Sequence, residues 1–491
     1  MSPKVVVIGS GFAGLSAACC LAKEGCAVTV LEKNATPGGR ARQFEADGFK
    51  FDMGPSWYWM PDVFEQFFNH FGKKTSDYYN LIRLDPSYRI YFGKDDVMDL
   101  PANLEALYTL FESYEPGSSI HLKKFLADAQ YKYEAGMQEF VFKPAHSPLE
   151  YFHWKIMKAG MRLQLLKSLS SEVNAHFKDS RLVRLLEFPV LFLGATPEKT
   201  PAMYSMMNYA DMVLGTWYPE GGMIQIVNAM VSLAKELGVH FEFDAEVIRI
   251  EAEARRVKRV ITSRGRTIEA DIVVGGADYH HLEQKVLDKP YRQYDESYWA
   301  SRVMAPSSLV FYLGIKGRMK DVLHHNLFFD ADFKIHSEEI YTSKKWPTDP
   351  LFYMSAPSMT DDSVAPDGHE NLFILIPIAP DLEDNEAIRE HYFSRVLERI
   401  KMITGEDLQD RIVYKRSYCV KDFKADYHSF QGNAYGLANT LRQTAFMKPK
   451  MKSRKLDNLY FTGQLTVPNP GIPPTLISRQ IVAREVMKNY A

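Results

Sequence analysis

The stretch that most constrains this chain lies at its amino terminus, where a short apolar run is followed by three closely spaced glycines. Residues 5–8 are Val-Val-Val-Ile, a run typical of a buried parallel strand, and residues 9–14 are Gly-Ser-Gly-Phe-Ala-Gly. Small and apolar side chains at helical spacing then continue to about residue 22. This order predicts a strand, a glycine turn and a helix, the start of a nucleotide-binding α/β fold.

Each glycine of this turn has its own physical role. Gly9 allows a tight turn, Gly11 lets the backbone approach a diphosphate without a Cβ in between, and Gly14 lets the helix pack closely on the strand. The helix begins near Phe12 and Ala13, and its free N–H groups and positive dipole end favour an anion. We therefore expect these five residues to hold the diphosphate of a dinucleotide.

A second strand ends in an acidic residue at the spacing that suits an adenosine ribose. Residues 27–31 are Ala-Val-Thr-Val-Leu, and they are followed by Glu32 and Lys33, both of which we expect to contact the cofactor. A carboxylate at this place accepts hydrogen bonds from the ribose and repels a 2′-phosphate, which disfavours NADP. Further on, Gly39 and Arg40 stand where a longer dinucleotide needs additional phosphate contacts. This continuation favours FAD over NAD.

Composition narrows the class of protein. At 491 residues the chain is long enough for two or three domains with a large core. The apolar fraction of 46% and the charged fraction of 24% are ordinary for a globular protein, and a net charge of −2 gives no indication of nucleic acid as a partner. The four cysteines have no metal-ligand spacing, which favours a reduced, cytoplasmic setting.

The sequence predicts that the protein contacts a membrane at most at the membrane surface and does not span it. No stretch approaches the run of about 18 apolar residues that a membrane-spanning helix needs. A nucleotide fold that starts at residue 5 also leads us to expect no secretory signal. Between residues 121 and 215 a helical pattern interleaves cations with large apolar side chains. Such a segment fits either the core of a cap domain or a lipid interface; it includes Trp154, Lys155, Lys158, Arg162, Leu163 and Lys167.

Few residues suggest charged catalysis. The sequence has no HExxH or CxxC motif and no serine elbow. The pairs His280-His281 and His324-His325 would point to opposite faces of a strand, so they make poor joint ligands and we expect no metal. Asp211 and Glu220 are the candidates for a general base or a cation-stabilising carboxylate, against a solvated or capping role for each.

Three consecutive aromatic residues follow a break in regular structure. Residues 54–56 are Gly-Pro-Ser, and Trp57, Tyr58 and Trp59 come directly after them. Each aromatic residue alone is typical of a core loop. Beside a flavin, the three together would wall an apolar cavity for substrate.

The stretch from Gly9 to Pro61, including GGRARQFEADGFKFDMGPSWYWMP, resembles the amino terminus of the CrtI-type carotenoid desaturases, within the larger amine-oxidase-like group of FAD proteins. The resemblance covers nearly the whole chain, and its other specific part is TGQLTVPNPGIPP at residues 462–474. The chain departs from the family at Asn469 and near Arg479, where relatives carry glycine. The resemblance implies further FAD contacts from Gly54, Pro55, Ser56, Val247, Gly463, Gln464, Gly471, Ile472 and Pro473.

The resemblance also implies the architecture. We expect an α/β fold in which a discontinuous Rossmann-type FAD-binding domain combines with a mixed β-sheet substrate domain and a helical cap that is a candidate for membrane contact. The expected boundaries are residues 1–75, 219–290 and 435–491 for the FAD-binding domain, 76–120 and 291–434 for the substrate-binding domain, and 121–218 for the cap.

Three functions stay open at this point. The first is an FAD-dependent carotenoid desaturase that converts phytoene toward lycopene, with oxygen or a quinone as electron acceptor; a close variant acts on a hydroxylated or monocyclic carotenoid. The second is a redox-neutral carotenoid isomerase that uses reduced FAD. The third is a lipid carrier on the same fold, against which the intact Gly11 and Arg40 argue. We expect the first, in a cytoplasmic protein associated peripherally with the membrane.

Overall fold

The structure is a computed structural model that describes residues 2–137, 147, 163–164, 167–440, 443–468 and 471–490. Four residues of the basic apolar segment, Trp154, Lys155, Lys158 and Arg162, lie outside the described residues, and so does the departure at Asn469. Within the described ranges, no helix combines the length and the apolar character that a membrane span requires.

The described ranges contain nineteen strands. They are β1 Lys4–Ile8, β2 Ala27–Leu31, β3 Gln43–Ala46, β4 Phe49–Asp52, β5 Leu81–Arg83, β6 Tyr88–Gly93, β7 Asp96–Leu100, β8 Trp217–Pro219, β9 His240–Glu242, β10 Val247–Glu253, β11 Arg256–Thr262, β12 Thr267–Glu269, β13 Ile272–Gly275, β14 Ser307–Lys316, β15 His325–Phe328, β16 Phe352–Ser355, β17 His369–Ile378, β18 Ile412–Tyr418 and β19 Leu459–Phe461.

The same ranges contain fourteen α-helices, which short 3-10 and π turns supplement. They are α1 Phe12–Lys23, α2 Pro61–Asn69, α3 Leu104–Tyr114, α4 Ser118–Ala135, α5 Leu169–His176, α6 Ser180–Glu187, α7 Met206–Tyr209, α8 Ile224–Glu236, α9 Tyr279–His281, α10 Glu296–Ala300, α11 Phe333–Glu338, α12 Glu386–Thr404, α13 Val420–Tyr427 and α14 Ile472–Tyr490.

A parallel sheet of five strands, in the order β19-β13-β1-β2-β9, forms the first layer of the fold. β1 lies at its centre and pairs with β13 on one side and β2 on the other. Because all five strands are parallel, their carboxyl ends meet at one edge, the place where such sheets bind ligands. The predicted Rossmann-type α/β fold is confirmed.

Helix α1 is buried on almost every side. Ten consecutive residues, from Phe12 to Leu21, are inaccessible to solvent because α8 and α14 pack against the helix beside the sheet. A helix that is apolar all round is stable only in such an interior. The contact between α1 and α14 brings the two ends of the chain together, so the carboxyl-terminal turn reaches the same edge of the sheet as the first glycine turn.

A mixed sheet of seven strands, in the order β18-β14-β17-β16-β15-β6-β7, forms the second layer. Strand β14, which lies between β18 and β17, is buried on both faces. Leu309, Phe311 and Leu313 pack on the α12 side, and Val310 and Tyr312 face an aromatic cluster on the other side. Helices α3 to α7 cover that cluster, and no strand occurs in the described residues between 101 and 216. The aromatic cluster therefore lies between the sheet and a helical layer.

Candidate active site

The glycine turn after β1 is built for close backbone approach. Gly9 has a φ of 94°, and its N–H donates to the carbonyl oxygen of Leu31 at 2.8 Å. A Cβ on Gly14 would lie 2.0 Å from the carbonyl oxygen of Gly9, so only glycine lets α1 lie this close to the strand. A Cβ on Gly11 would meet only the Cα of Gly39, at 3.9 Å. The backbone at Gly11 therefore borders open space, as a diphosphate requires.

Turns from distant parts of the sequence meet at this point. A Cβ on Gly39 would lie 3.2 Å from the Cα of Gly11, and a Cβ on Gly463 would lie 3.5 Å from that of Ala13. Gly54 passes close to Arg40, because a Cβ there would lie 2.4 Å from the Arg40 carbonyl oxygen. The predicted cofactor residues Gly11, Ala13, Gly39, Arg40, Gly54 and Gly463 thus converge, and Gly471, Ile472 and Pro473 introduce the helix α14 that packs on α1.

Arg40 supplies a cation that forms no direct ion pair with a carboxylate among the residues that the structure describes. Its Nη2 donates to Ser429 Oγ at 3.0 Å and to the Asn433 carbonyl oxygen at 3.3 Å. The Gln464 side-chain oxygen accepts from Nη2 at 2.9 Å when its amide is oriented to satisfy both groups. Nε is buried without a hydrogen-bond partner among the described residues. Burial lowers the pKa of this guanidinium, with Asp278 acting in the opposite direction, so an anion at the turn would stabilise it.

The acidic residue at the end of β2 is held in place by its own neighbours. Glu32 is 5% exposed, and its Oε2 accepts from the N–H and the hydroxyl of Ser10 at 2.8 and 2.7 Å. Its Oε1 accepts from the N–H of Asn34 at 2.9 Å. The Ser10 hydroxyl and N–H thus both bind one carboxylate oxygen of Glu32. Lys33 points away, toward the carbonyl oxygens of Ala425 and Asp426, and the structure does not bring it to this group.

Val247, the residue expected beside the adenine, begins β10 and is buried. The connection to Glu32 is short, since the N–H of Ala245 donates to the Glu32 carbonyl oxygen at 2.8 Å. Val247 therefore lies near the carboxyl end of β2, on the ribose side of the Gly11 turn.

Two of the three predicted aromatic residues form one wall. Trp57 stacks on His325 with ring centroids 4.2 Å apart and planes at 11°. It also contacts Trp59 and the edge of Tyr88, each at 5.2 Å. The indole N–H of Trp59 donates to Thr216 Oγ1 at 2.9 Å. This wall is apolar except at its few hydrogen-bonded groups, which suits a hydrocarbon ligand.

Tyr58 does not belong to this wall, which corrects the expectation of three adjacent lining residues. Its ring stacks on Phe64 at 4.2 Å, and its hydroxyl lies 2.9 Å from that of Tyr79. Successive side chains of an extended segment point to opposite faces, so Tyr58 enters the core beside α2 while its two neighbours face the other way.

Asp211 is a buried carboxyl group at the edge of the aromatic wall. Its Oδ2 accepts from the Tyr88 hydroxyl at 2.6 Å, and its Oδ1 accepts from Thr216 Oγ1 at 3.3 Å. Burial raises the pKa of Asp211 to about 7, although the hydrogen bond from Tyr88 acts in the opposite direction. A carboxyl group with a pKa near 7 is suited to accept a proton at neutral pH.

Glu220, the other candidate acid, is not part of the site. Its side chain is exposed and accepts from the amide of Asn80 at 3.3 Å. The partly buried carboxylate next to the double glycine is instead Asp52, which accepts from the N–H groups of Met223 and Ile224 at 2.6 and 3.2 Å and so caps α8. Burial raises the pKa of Asp52 to about 6, against the effect of these N–H groups.

Sequence reasoning missed several residues of the wall. Tyr88, Thr216, His325 and Tyr353 come from four separate elements, and His325 Nδ1 lies 2.6 Å from the Tyr353 hydroxyl. The one available signal was the pair His324-His325, whose members do point to opposite faces: His325 faces Trp57, and His324 contacts the ring of Tyr218.

One cluster has the composition of a metal site. Ligand atoms of Glu246, His281 and His428 lie within 4.8 Å of one another. The two imidazoles stack face to face, with centroids 3.8 Å apart and planes at 6°. Lone pairs in two parallel planes do not converge on one ion, so this geometry is unlike that of a ligand set, and the absence of a metal stays a prediction.

Comparison with known proteins defines the class to which this fold and site belong. The chain matches the model of the flavin-containing amine oxidoreductases over residues 12–471. The protein therefore belongs to that family and is an FAD-dependent oxidoreductase.

Individual relatives confirm the resemblance seen in the motifs. The chain is 44% identical to a carotenoid 3,4-desaturase of Haloarcula japonica over 488 residues, which are 99% of this chain and 98% of the relative. It is 32% identical to a zeta-carotene-forming phytoene desaturase of Myxococcus xanthus over 493 residues, 99% of this chain and 94% of the relative. An oxidoreductase from Methanosarcina mazei shares the fold, with a TM-score of 0.64 at 15% identity over 99% of this chain and 100% of that chain.

Proposed function

We propose that this protein is an FAD-dependent carotenoid desaturase, which introduces conjugated double bonds into a C40 polyene. The observation that carries the proposal is the short link between an anion-binding turn and an apolar wall. Gly54 packs against Arg40 at the turn, and Trp57, three residues later, begins the aromatic wall. A flavin held at the turn would therefore border a surface suited to a hydrocarbon.

We assign the cofactor as follows. The diphosphate is held by the backbone from Gly9 to Gly14, by Gly39 and by Arg40, whose Nε is buried without a hydrogen-bond partner among the described residues and so supports the assignment. Glu32 binds the adenosine ribose in place of the Ser10 hydroxyl. The remaining contacts are assigned to the flavin and adenine portions, and are made by Gly54, Pro55, Ser56, Val247, Gly463, Gln464, Gly471, Ile472 and Pro473.

The chain's own residues have two tasks in this reaction. Bound FAD supplies a hydride acceptor for a carbon next to a double bond, while the neighbouring carbon loses a proton to leave a new double bond. Trp57 and Trp59 hold the polyene and keep water out. Asp211 accepts the proton, with Tyr88 as the hydroxyl between the carboxylate and the wall, since a group with a pKa of about 7 takes and returns protons at neutral pH.

Two sites of desaturation on the carotenoid are candidates, and each requires its own test. The motifs favour phytoene, with stepwise desaturation toward lycopene. A second candidate is desaturation between carbons 3 and 4, near the end of a carotenoid chain. This candidate is supported by the relative that is named a carotenoid 3,4-desaturase, which is 44% identical to the chain. The relative named a phytoene desaturase is 32% identical.

Because a C40 carotenoid dissolves in the bilayer, we expect a cytoplasmic enzyme that binds the membrane peripherally. We expect it to pass its electrons to oxygen or a quinone. Within the described part of the basic apolar segment, Leu163 is buried and so does not face lipid, and the partly exposed Lys167 pairs with Glu172 at 2.6 Å. Charge reversal of Lys155, Lys158 and Arg162 is expected to lower the fraction that sediments with anionic liposomes, with Lys167→Gln as the control. Unchanged partition would contradict a role of this segment at the membrane.

Incubation of the FAD-loaded protein with carotenoids in liposomes, followed by absorbance and mass spectrometry, tests the proposal. Phytoene is expected to lose two hydrogens per step while its absorption bands shift to longer wavelengths. If the protein converts only a carotenoid that is saturated at carbons 3 and 4, its activity is the second candidate, desaturation between these two carbons. A product of unchanged mass would identify an isomerase, and a protein that takes up no FAD would identify a carrier.

A further inference from the structure

A short segment lies across the carboxyl edge of the parallel sheet. Residues 425–433, which we call the strap, include the end of α13 and the turn after it. The sequence interpretation assigned the strap to the substrate-binding domain. It contacts β14 and β18 of the second sheet, but it also contacts the loops that follow β2, β9 and β13, on the edge where the glycine turns converge.

The first half of the strap holds the two arginines that follow β2. Asp426 forms an ion pair with Arg42 at 2.7 Å. The ring of Tyr427 lies 5.2 Å from the guanidinium carbon of Arg40 and 5.3 Å from that of Arg42, within reach of a cation–π contact. Ser429 accepts from Arg40 at 3.0 Å. The strap thus covers the cation that we assign to the diphosphate.

The second half of the strap is anchored beside the residue assigned to the adenine. His428 Nε2 lies 2.6 Å from Glu246 Oε1, and Val247 follows Glu246 in the chain. The ring of His428 stacks on that of His281 at 3.8 Å. Burial, followed by the charge of His428, lowers the pKa of His281 to about 3. His281 is therefore neutral at physiological pH, and the stack does not bring two cations together.

The backbone of the strap is also constrained. His428 has a φ of 50° and Gln431 a φ of 58°, a left-handed conformation that residues other than glycine seldom adopt. Side-chain and backbone contacts hold the turn in this form. The N–H of Phe430, between these two residues, donates to Asp278 Oδ2 at 3.2 Å. Such strain persists only where the surrounding contacts determine the structure, and it concentrates at ligand clamps.

We propose that the strap is the outer wall of the FAD site and that its two anchors, the Arg42–Asp426 ion pair and the His428–Glu246 hydrogen bond, control how long the cofactor stays bound. The inference rests on the proposed placement of FAD. Cofactor release then requires the strap to leave the sheet edge, so the domain that binds substrate also retains the flavin.

The rate of FAD release from the holoenzyme tests this inference without any turnover. Glu246→Gln and Asp426→Asn each weaken one anchor, and a hydrogen bond to a charged group contributes enough that we expect FAD to dissociate about tenfold faster from each variant. The released flavin is followed by its fluorescence after dilution. The control is Asp407→Asn, because Asp407 forms a similar pair with Lys401 at 2.6 Å, in the turn after α12. Equal release rates in the wild type and both strap variants would overturn the proposal.

Hydrogen exchange on the wild type gives a second test that does not depend on variants. Amides of residues 428–433 are expected to exchange faster after FAD is removed, and exchange that is unchanged would contradict the proposal. The two proposals fail in different ways. If the wild type retains FAD but converts no carotenoid, the proposed desaturase activity is wrong, and the FAD-release test can still be carried out. If the enzyme desaturates carotenoids but the strap variants release FAD at the wild-type rate, only the proposed role of the strap is wrong.

Discussion

At the scale of single residues, the absence of a side chain at Gly11 is the feature most directly tied to the cofactor. Gly14 and Gly54 are required by the packing of the protein itself, since a Cβ on either would overlap a carbonyl oxygen. Gly11 has no such constraint, because a Cβ there would have space. Its glycine is therefore explained by a ligand that approaches the backbone.

Gly11→Val is expected to give a folded protein that has lost FAD, because the branched side chain would occupy the diphosphate's position. The flavin absorbance per mole of purified protein measures this loss. Gly93→Val serves as a control, since a Cβ on Gly93 meets no atom within 4 Å and this glycine lies in the second sheet. Stoichiometric flavin in the Gly11 variant would show that the diphosphate lies elsewhere.

Asp211→Asn is expected to lower the rate of desaturation by about a hundredfold, since loss of a general base commonly has at least that effect. The pKa of Asp211 is raised to about 7, so the carboxylate becomes available as the pH rises through 7. The wild-type rate is therefore expected to increase from pH 6 to pH 8, and the rate of the Asn variant to be flat over that range.

A matched control for this pH profile is Glu283→Gln. Burial also raises the pKa of Glu283 to about 7, but this carboxyl bonds to the indole of Trp299 at 3.3 Å, away from the aromatic wall. The control is expected to keep the wild-type profile. A slope that persists in the Asp211 variant would assign the proton to another group.

At the scale of elements, the contact between α14 and the helices next to it contains an uncompensated charge. Arg479 is 2% exposed, its guanidinium lies 4.2 Å from the ring centroid of Phe67, and its Nε has no hydrogen-bond partner among the described residues. Burial lowers the pKa of Arg479, and a buried cation without a carboxylate destabilises a fold.

Arg479→Met is expected to raise the melting temperature by a few degrees, because it keeps most of the apolar volume and removes the buried charge. FAD content is expected to stay the same, since Arg479 contacts α2, its own helix and Cys20 in the second half of α1 rather than the glycine turns. Thermal unfolding of the FAD-loaded variant measures the effect. A lower melting temperature together with lost flavin would place Arg479 in the cofactor site.

At the scale of the whole molecule, the sequence predicts those strands, turns and helices that a few adjacent residues specify. β1, the glycine turn and α1 are specified by adjacent residues, and the apolar face of α8 follows from its helical period. The direction of a side chain in an irregular loop depends on the elements packed against it. Tyr58 therefore entered the core and Glu220 reached solvent, although both stand next to correctly located motifs.

The strap shows a second limit of sequence reasoning. Tyr427, His428 and Ser429 lie almost 400 residues from Arg40, and no local motif marks them as partners of the nucleotide fold. Only the packing of the two sheets brings these residues to one edge. The same holds for the wall formed by Trp57 and His325.

The most direct test of the central claim is a single turnover without oxygen. FAD-loaded protein is mixed with phytoene in liposomes under anaerobic conditions, and flavin absorbance and product mass are recorded together. We expect each equivalent of flavin bleached to yield one equivalent of a product lighter by two hydrogens, and we expect the Gly11→Val variant to be inactive. A product of unchanged mass, or a flavin that stays oxidised with every carotenoid tested, would contradict this expectation.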